Sequence, residues 1–391
     1  MRAGWKQKKL RDVCELINGR AYSKPELLAE GKYPVLRVGN FFTNNHWYFS
    51  DMELGPEKYC ERGDLLYAWS ASFGPRFWEG EKVIFHYHIW KVLPDPALID
   101  KKFLYMWFLW DTEQIKEDQG TGTTMMHVAK GSMEDRDILV PPLPEQHRIV
   151  AILDEAFDGI ATAKANAEKN LRNARELFEN HLESSFSYDG VGTWMKPLGE
   201  IATFRNGINY TQQSKGQSVR IIGVKDFQKS FWAPMEDLDS VTLDGHLSTT
   251  DAVRAGDIIS VRSNGNPLLI GRCILVPEHQ GSVSNSGFTI RIRLNTDSAL
   301  PNYVCHFLKS QTARRELIAG GNGANIKSLN QGTLAAIRVP VPPVAKQHAT
   351  VQSIETMSEE AVHLEDIYRQ KLAALDELKQ SLLHRAFNGN L

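Results

Sequence analysis

Cysteine is scarce in this sequence, and its four positions suggest neither a metal site nor a disulfide framework. Cys14, Cys60, Cys273 and Cys305 are scattered through 391 residues, with no CxxC pair and no neighbouring histidine cluster. The twelve histidines, including the HYH at residues 86–88, also lack a ligand spacing, so core or surface roles are expected for them. We expect no metal site, and free thiols of this kind suit a reducing cytoplasm.

Long apolar runs are also absent. The longest, FLYMWFLW at residues 103–110, is far shorter than the roughly 20 residues of a membrane helix. The N-terminal MRAGWKQKKL has no apolar core, so nothing in it predicts export. With 42% hydrophobic residues, the composition is typical of a soluble globular protein of two or three domains.

Motifs of catalysis and nucleotide binding are missing too. There is no GxxxxGK[ST] loop, no GxGxxG that follows a strand, no HExxH and no GxSxG. The Asn-Pro-Pro-aromatic motif of amino-methyltransferases is absent, because Asn266-Pro267-Leu268 lacks the second proline and the aromatic residue. We therefore expect no catalytic residues and no cofactor bound by this chain.

What the sequence does contain is an internal repeat with a shift of 201 positions. The shift aligns Gly120-Thr-Gly122 with Gly321-Asn-Gly323, and VPPLPEQHRIV (residues 140–150) with VPPVAKQHATV (residues 341–351). Looser similarities precede them, such as ERGDLLYAWSASFGP (61–75) against RAGDIISVRSNGNP (254–267). A period near 200 residues indicates a duplicated domain and not a solenoid.

Each copy of the proline-rich junction predicts the start of a long helix. Pro141 and Pro142 exclude helix before Leu143, whereas Pro144 suits a first helical turn and Glu145 complements the helix dipole. Both following segments carry an apolar heptad seam, which predicts a coiled coil of about 60 Å. A pseudo-two-fold axis would make the helices antiparallel; the alternative is that each packs only on its own domain. The predicted seam includes Leu153, Ile160, Ala167, Leu177, Ile354, Leu364, Leu375 and Leu382.

Charge is distributed unevenly among these segments. Residues 194–343 carry 16 basic and 11 acidic residues, whereas residues 1–142 carry 19 and 20. The two junction-and-helix segments, residues 143–193 and 344–391, are both acidic. The basic second block suits contact with phosphates, and the acidic helices suit contact with another partner.

Polar glycine-bearing turns supply candidate base-reading residues. In VRSNGNP (261–267), arginine and asparagine follow an apolar strand, and these residue types pair with guanine and adenine in the major groove. Plain turn chemistry is the alternative for each turn taken alone, and GTGTT and GNGAN could approach phosphates or simply be turns. The candidates are Asn18, Arg20, Arg37, Asn40, Trp69, Ser70, Ser72 and Arg76 in the first block and Asn206, Asn209, Lys225, Arg262, Ser263, Asn264, Asn266, Ser284 and Asn285 in the second.

These features together resemble the DNA specificity (S, HsdS) subunits of type I restriction-modification systems. The resemblance is carried first by the duplicated opening, in which a Trp precedes a Leu at Trp5 and Leu10 and again at Trp194 and Leu198. It is also carried by the GD-led strand with its polar turn, the GxG(x8)G run that begins at Gly120, the PPxxxQH junction and the C-terminal LKQSLLHRAFNGNL. It implies an α+β fold with two mixed α/β target recognition domains with curved sheets, residues 1–143 and 190–343. Two long helices, residues 144–189 and 344–391, would form an antiparallel coiled coil between them.

The family resemblance also implies a function and partners. Each recognition domain would read half of a bipartite double-stranded DNA target, and the helices would bind two methyltransferase (M) subunits that carry S-adenosylmethionine. Restriction (R) subunits would add ATP and magnesium. Since the two blocks share little sequence, we predict different half-sites. Ala345-Lys346 departs from the usual Pro/Glu start and could alter contact with the second methyltransferase subunit.

Two other interpretations remain open from the sequence. The chain could be the recognition fragment of a fused restriction-methyltransferase, although Met1 so close to the first tryptophan argues against an upstream catalytic region. It could also be a coiled-coil scaffold that joins two proteins without DNA specificity.

Overall fold

The computed structural model describes residues 4–42, 45–70, 74–119, 127–187, 194–211, 213–227, 230–320 and 327–391. The chain divides into two compact units: Met1–Glu168 with Gln370–Leu391, and Lys169–Arg369. Each unit therefore contains one α/β domain and a part of both long helices. Within the described ranges, none of the helices combines the length and the apolar character that a bilayer crossing requires.

The first unit is built on two open four-stranded sheets and a strand pair. The strands are β1 (Lys6–Lys9), β2 (Cys14–Asn18), β3 (Tyr33–Leu36), β4 (Tyr48–Ser50), β5 (Tyr59–Cys60), β6 (Leu65–Ala68), β7 (Gly74–Phe77), β8 (Val83–Phe85), β9 (Ile89–Pro94) and β10 (Asp137–Val140). The sheet orders are β2-β9-β6-β7 and β4-β3-β8-β5, β1 pairs with β10, and of these pairings only β3–β8 is parallel. The helices of this domain are α1 (Val38–Phe42), α2 (Lys101–Gln119) and α3 (Lys130–Glu134).

The second unit has a similar arrangement, with a four-stranded sheet, a three-stranded sheet and two strand pairs. The strands are β11 (Met195–Pro197), β12 (Ala202–Asn206), β13 (Ser218–Ile222), β14 (Asp239–Thr242), β15 (Ile258–Val261), β16 (Ser263–Asn264), β17 (Cys273–Leu275), β18 (Val283–Asn285), β19 (Thr289–Leu294), β20 (Lys327–Ser328) and β21 (Arg338–Pro340). The sheet orders are β12-β19-β15-β17 and β14-β13-β18, the pairs are β11-β21 and β16-β20, and β13–β18 is again parallel. The long helices are α4 (Leu143–Ser184) and α9 (Val344–Phe387), and the short ones are α5 (Leu198–Ile201), α6 (Pro301–Lys309), α7 (Gln311–Ala319) and α8 (Gln331–Ala336).

The Gly-Asp pair found in both copies forms the turn that leads into a fully buried strand. Gly63 and Gly256 have φ of +91° and +84°, a conformation that favours glycine. The aspartate that follows accepts a hydrogen bond from the backbone two residues before the glycine, Asp64 from Glu61 at 2.9 Å and Asp257 from Arg254 at 2.7 Å. The four residues of β6 and of β15 are all buried, which explains why both strands are apolar except at Ser260.

The glutamine of each junction joins the start of the long helix to its domain. Gln146 accepts a hydrogen bond from Asp100 N at 2.7 Å and donates through Nε2 to the carbonyls of Leu98 at 2.9 Å and Pro141 at 2.8 Å. Gln347 makes the same three bonds, with Leu300 N at 2.9 Å, Ser298 O at 2.7 Å and Pro342 O at 2.7 Å. Both side chains are fully buried, so the repeated Gln is a structural latch; the neighbouring His147 and His348 are exposed.

The two long helices pair antiparallel within each unit. In the first unit Arg148 bonds to the carbonyl of Leu391 at 2.8 Å, and Lys164 pairs with Asp376. In the second, Arg175 pairs with Glu365 at 3.0 Å and His181 with Ser353 at 3.0 Å. Each helix also packs on its own domain near its start, because Ile149 and Leu153 of α4 belong to the core of the first unit and Val351 of α9 belongs to the core of the second. The predicted antiparallel pairing is therefore confirmed within each unit, and the alternative that each helix packs only on its own domain is wrong.

The predicted heptad seam holds for most positions and fails at one. Leu153, Ile160, Ala167 and Ile354 are buried, and Leu364, Leu375 and Leu382 are half-buried. The prediction for Leu177 is wrong, because its side chain is 53% exposed while Leu182 is buried. A straight helix has 3.6 residues per turn, so a strict seven-residue repeat drifts by about 20° per heptad and after three heptads the buried position moves along the sequence.

Candidate nucleic-acid interface

Each domain brings the ends of several strands together in one cluster of loops. We define the first loop cluster as residues 18–22, 37–42, 69–70 and 86–88, which follow β2, β3, β6 and β8. The second loop cluster comprises residues 206–211, 223–227, 262–269 and 286–288, which follow β12, β13, β15 and β18.

The Asn-Gly pair of both copies lies where two of these loops cross. Gly19 N donates to Ile89 O at 3.1 Å, and Gly207 N donates to Thr289 O at 3.0 Å. A Cβ on Gly19 would lie 2.4 Å from the carbonyl oxygens of residues 85 and 86, and one on Gly207 would lie 2.1–2.2 Å from those of residues 285 and 286. No side chain fits at this crossing, so the glycine fixes the position of the residues that follow it.

The loops after β6 and β15 are held by the same backbone bonds in both domains. Trp69 N donates to His88 O at 3.0 Å, and Arg262 N donates to Phe288 O at 2.8 Å. The carbonyls of Trp69 and Arg262 then accept from Val128 N and Leu329 N at 3.1 and 2.8 Å. Trp69 and Arg262 are thus equivalent positions, as the sequence alignment predicted.

The loops after β3 and β13 complete the correspondence. His86 N donates to Leu36 O and Ser286 N donates to Ile222 O, both at 2.9 Å. Arg37 and Gly223 therefore occupy equivalent places next to the turn at 86–88 or 286–288. One scaffold carries different side chains in the two domains.

Several candidates of the first domain are exposed, and others are occupied within the protein. Arg37 is exposed, with its guanidinium 5.4 Å from the Tyr48 ring centre. Trp69 stacks on Trp90 at 5.9 Å. The remaining placements are as follows: Asn18 is exposed, Arg20 pairs with Glu26 at 2.7 Å, Asn40 donates to His46 O at 2.7 Å, Ser70 is buried and Arg76 packs over the rings of Phe41 and Phe42.

The second domain shows the same mixture. Arg262 donates from Nη1 to Gly287 O at 3.1 Å, and a guanidinium has five N–H donors, so this bond leaves donors for a base edge. Asn264 and Asn266 shape the turn by accepting from the backbone N of Asn266 and Leu268 at 2.8 and 3.0 Å. Of the others, Asn206 accepts from Gln331 at 3.2 Å, Asn209 is exposed, Lys225 pairs with Asp239 at 2.5 Å, and Ser263 is half-buried.

Ser284 and Asn285 support the second loop cluster from behind. Both side chains are buried, Ser284 donating to Asp251 O at 2.7 Å and Asn285 to Thr289 Oγ1 at 3.0 Å. Their polar atoms therefore do not reach the surface. Ser72 and the GTGTT and GNGAN runs lie outside the described residues.

Sequence reasoning missed the turns at 86–88 and 286–288. His88 lies against Trp69, and His86 lies against His88. Burial, followed by neighbouring imidazole and guanidinium charge, lowers the pKa of His86 to about 4 and also lowers the pKa of His88. Neutral imidazole both donates and accepts hydrogen bonds, which suits base edges. Aligning VIFHYHIW (83–90) with VSNSGFTI (283–290), an offset of 200, would have revealed the equivalence.

The described residues contain no group of three or more His, Cys, Asp or Glu side chains that could hold a metal ion. Each loop cluster is a surface at the ends of several strands, and each carries polar, cationic and aromatic side chains.

Comparisons with known proteins bear on what these surfaces do. The family described as "Type I restriction modification DNA specificity domain" matches residues 2–171 and again residues 192–373. The type I restriction enzyme EcoDI specificity subunit of Escherichia coli is 21% identical over 99% of this chain and 88% of its own length. The MjaVIII specificity subunit of Methanocaldococcus jannaschii is 22% identical over 99% and 93%.

Two solved structures share the fold. A chain from a study of complex assembly and conformational transition of the type I R-M system superposes with a TM-score of 0.77 at 17% identity, covering 100% of this chain and 99% of that one. The HsdS subunit from Thermoanaerobacter tengcongensis superposes with a TM-score of 0.60 at 15% identity, covering 100% and 98%.

Proposed function

The chain belongs to the type I restriction-modification DNA specificity family, and we propose that it reads a bipartite double-stranded DNA target, one half-site with each loop cluster. The observation that supports this most is the repetition of one loop scaffold with different side chains. The same backbone bonds hold Trp69 in one domain and Arg262 in the other. A repeated scaffold with variable side chains is what two separate recognition events require.

The two half-sites differ in sequence. At equivalent positions the first cluster has Arg37 and His88 where the second has Gly223 and Phe288. The second block also carries the excess of basic residues. Since base contacts depend on the donors and acceptors that each side chain offers, the target is asymmetric.

The chain itself is non-catalytic and binds no cofactor in this proposal. Methyl transfer belongs to two methyltransferase (M) subunits, which carry S-adenosylmethionine and dock on the long acidic helices. Restriction (R) subunits supply the reactions that need ATP and magnesium. The complex acts in the cytoplasm, and the four free, buried cysteines of this chain suit that compartment.

The two alternatives are not favoured. Separate specificity subunits match this chain over 99% of its length, which supports a subunit over a piece of a fused enzyme. A scaffold without DNA specificity would not need a second copy of the loop cluster.

Methylome sequencing tests the proposal. A host that carries this chain with its methyltransferase subunit should acquire one two-part methylation motif, and the methyltransferase subunit alone should give none. Fluorescence anisotropy of the complex with the mapped duplex and with a scrambled duplex, at several salt concentrations, separates specific from phosphate-driven binding. Equal methylation with and without the chain would refute the proposal.

A further inference from the structure

The second loop cluster presents a large apolar side chain where a DNA-reading surface would be expected to be polar. The ring of Phe288 is 63% exposed, at the tip of the turn that follows β18. Exposed aromatic side chains that are set among polar groups are typical of binding surfaces.

The backbone beneath this ring is held firmly. The carbonyl of Phe288 accepts two hydrogen bonds, from Arg262 N at 2.8 Å and from Ser263 N at 3.1 Å. On the other side of the turn, Thr289 donates to Ser286 O through both its backbone N and its Oγ1, each at 2.8 Å. The buried Asn285 bonds to the same Thr289 hydroxyl at 3.0 Å. The exposed ring is therefore carried by a rigid base, as a specificity contact needs.

The neighbouring side chain supplies polar chemistry next to the apolar ring. Arg262 bonds to Gly287 O at 3.1 Å, directly before Phe288 in sequence. A cation and an apolar ring side by side fit a DNA surface, where phosphates and base edges alternate with apolar groups. In the first domain the equivalent turn carries His88 at the position of Phe288 and Tyr87, 38% exposed, at the position of Gly287, so aromatic side chains are presented there in a different chemical form.

We propose that Phe288 is a specificity-determining residue that contacts the 5-methyl group of a thymine in the half-site read by the second loop cluster. A phenyl ring has no donor or acceptor for a base edge, and the thymine methyl is the apolar group that bases expose in the major groove. This inference rests on the proposed function and adds to it the chemistry of one base contact.

The test uses the complex of this chain with its methyltransferase subunit and the duplex mapped by methylome sequencing. Each thymine of both half-sites is replaced in turn by deoxyuridine, which removes only the methyl group. A buried methyl contact corresponds to about a fourfold change in affinity. We expect the wild-type complex to bind about fourfold more weakly when one particular thymine is replaced by deoxyuridine. The Phe288→Ala complex should bind the two duplexes equally well at that position.

Two further variants complete the design. Phe288→Leu keeps an apolar contact and should keep a reduced deoxyuridine effect at the same position. Trp232→Ala removes an aromatic side chain that is 46% exposed but outside the loop cluster, and it should respond as the wild type does. If no thymine shows a deoxyuridine effect that depends on Phe288, the contact does not exist. If the wild-type complex produced no methylation motif, the proposed function would be wrong, and this inference would fail with it.

Discussion

Replacement of Gln347 by alanine tests the latch that joins α9 to the second domain. The substitution removes one acceptor and two donors from a fully buried site, so Leu300 N and the carbonyls of Ser298 and Pro342 lose their partner. A hydrogen bond contributes about 1 kcal/mol net, and a buried group left without a partner costs about 1–3 kcal/mol. We expect Gln347→Ala to lower the free energy of unfolding by about 3 kcal/mol or more.

Urea denaturation followed by circular dichroism measures this change, and two variants sharpen it. Gln352→Ala makes the same chemical change at an exposed position of the same helix and should stay within about 0.5 kcal/mol of the wild type. Gln347→Glu is nearly isosteric, but a carboxylate oxygen would face two carbonyl oxygens. Its stability should fall further as the pH rises above about 4.3, because burial among acceptors raises the pKa of the carboxyl in the folded state. If Gln347→Ala is as mild as Gln352→Ala, the latch is unimportant.

Three further predictions concern the loops and the helices. His86 should titrate near pH 4 by NMR. Because its folded pKa is below the ordinary value of 6.5, the free energy of unfolding should fall as the pH is lowered from 6.5 to about 4, and His86→Gln should weaken that fall. A normal titration near 6.5 would contradict the placement of this ring. Gly207→Ala should abolish recognition of one half-site and lower the melting temperature. Gly131→Ala, in α3 outside both loop clusters, adds a Cβ that meets nothing within 4 Å and should keep recognition of both half-sites; equal effects would disprove the tight crossing. Leu182→Ala should lower the free energy of unfolding by about 2–4 kcal/mol and Leu177→Ala by less than about 0.5 kcal/mol. A larger loss for Leu177→Ala than for Leu182→Ala would support the predicted seam through Leu177.

Much of the organisation follows from local sequence rules. The double proline predicts a helix start because two missing N–H groups and a restricted preceding residue exclude an earlier one, and α4 does begin at Leu143. The Gly-Asp turn is equally local, since Gly256 supplies the positive φ and Asp257 caps the turn. The equivalence of Trp69 and Arg262 came from simple alignment of the two copies.

Which side chains reach the candidate interface depends on tertiary contacts, and local sequence rules do not predict these contacts. Ser284 and Asn285 are the residue types that read bases, yet they lie on a strand whose neighbours bury them and satisfy their polar atoms. Phe288 is the type expected in a core, yet the two bonds to its carbonyl place it at the tip of a turn. The error at Leu177 arises from the drift of a straight helix relative to the seven-residue repeat over three heptads, and not from the residue itself.

The central claim, that each loop cluster reads its own half-site, is tested most directly by methylome sequencing of Arg262→Gln beside the wild type. In the proposed function Arg262 donates to a guanine, and the loss of a bidentate donor costs about 1–3 kcal/mol of discrimination at such a base. We predict that one half-site becomes degenerate at one position, while the other half-site and the spacer between them stay unchanged. A motif that changes in both halves, or in neither, would contradict the account.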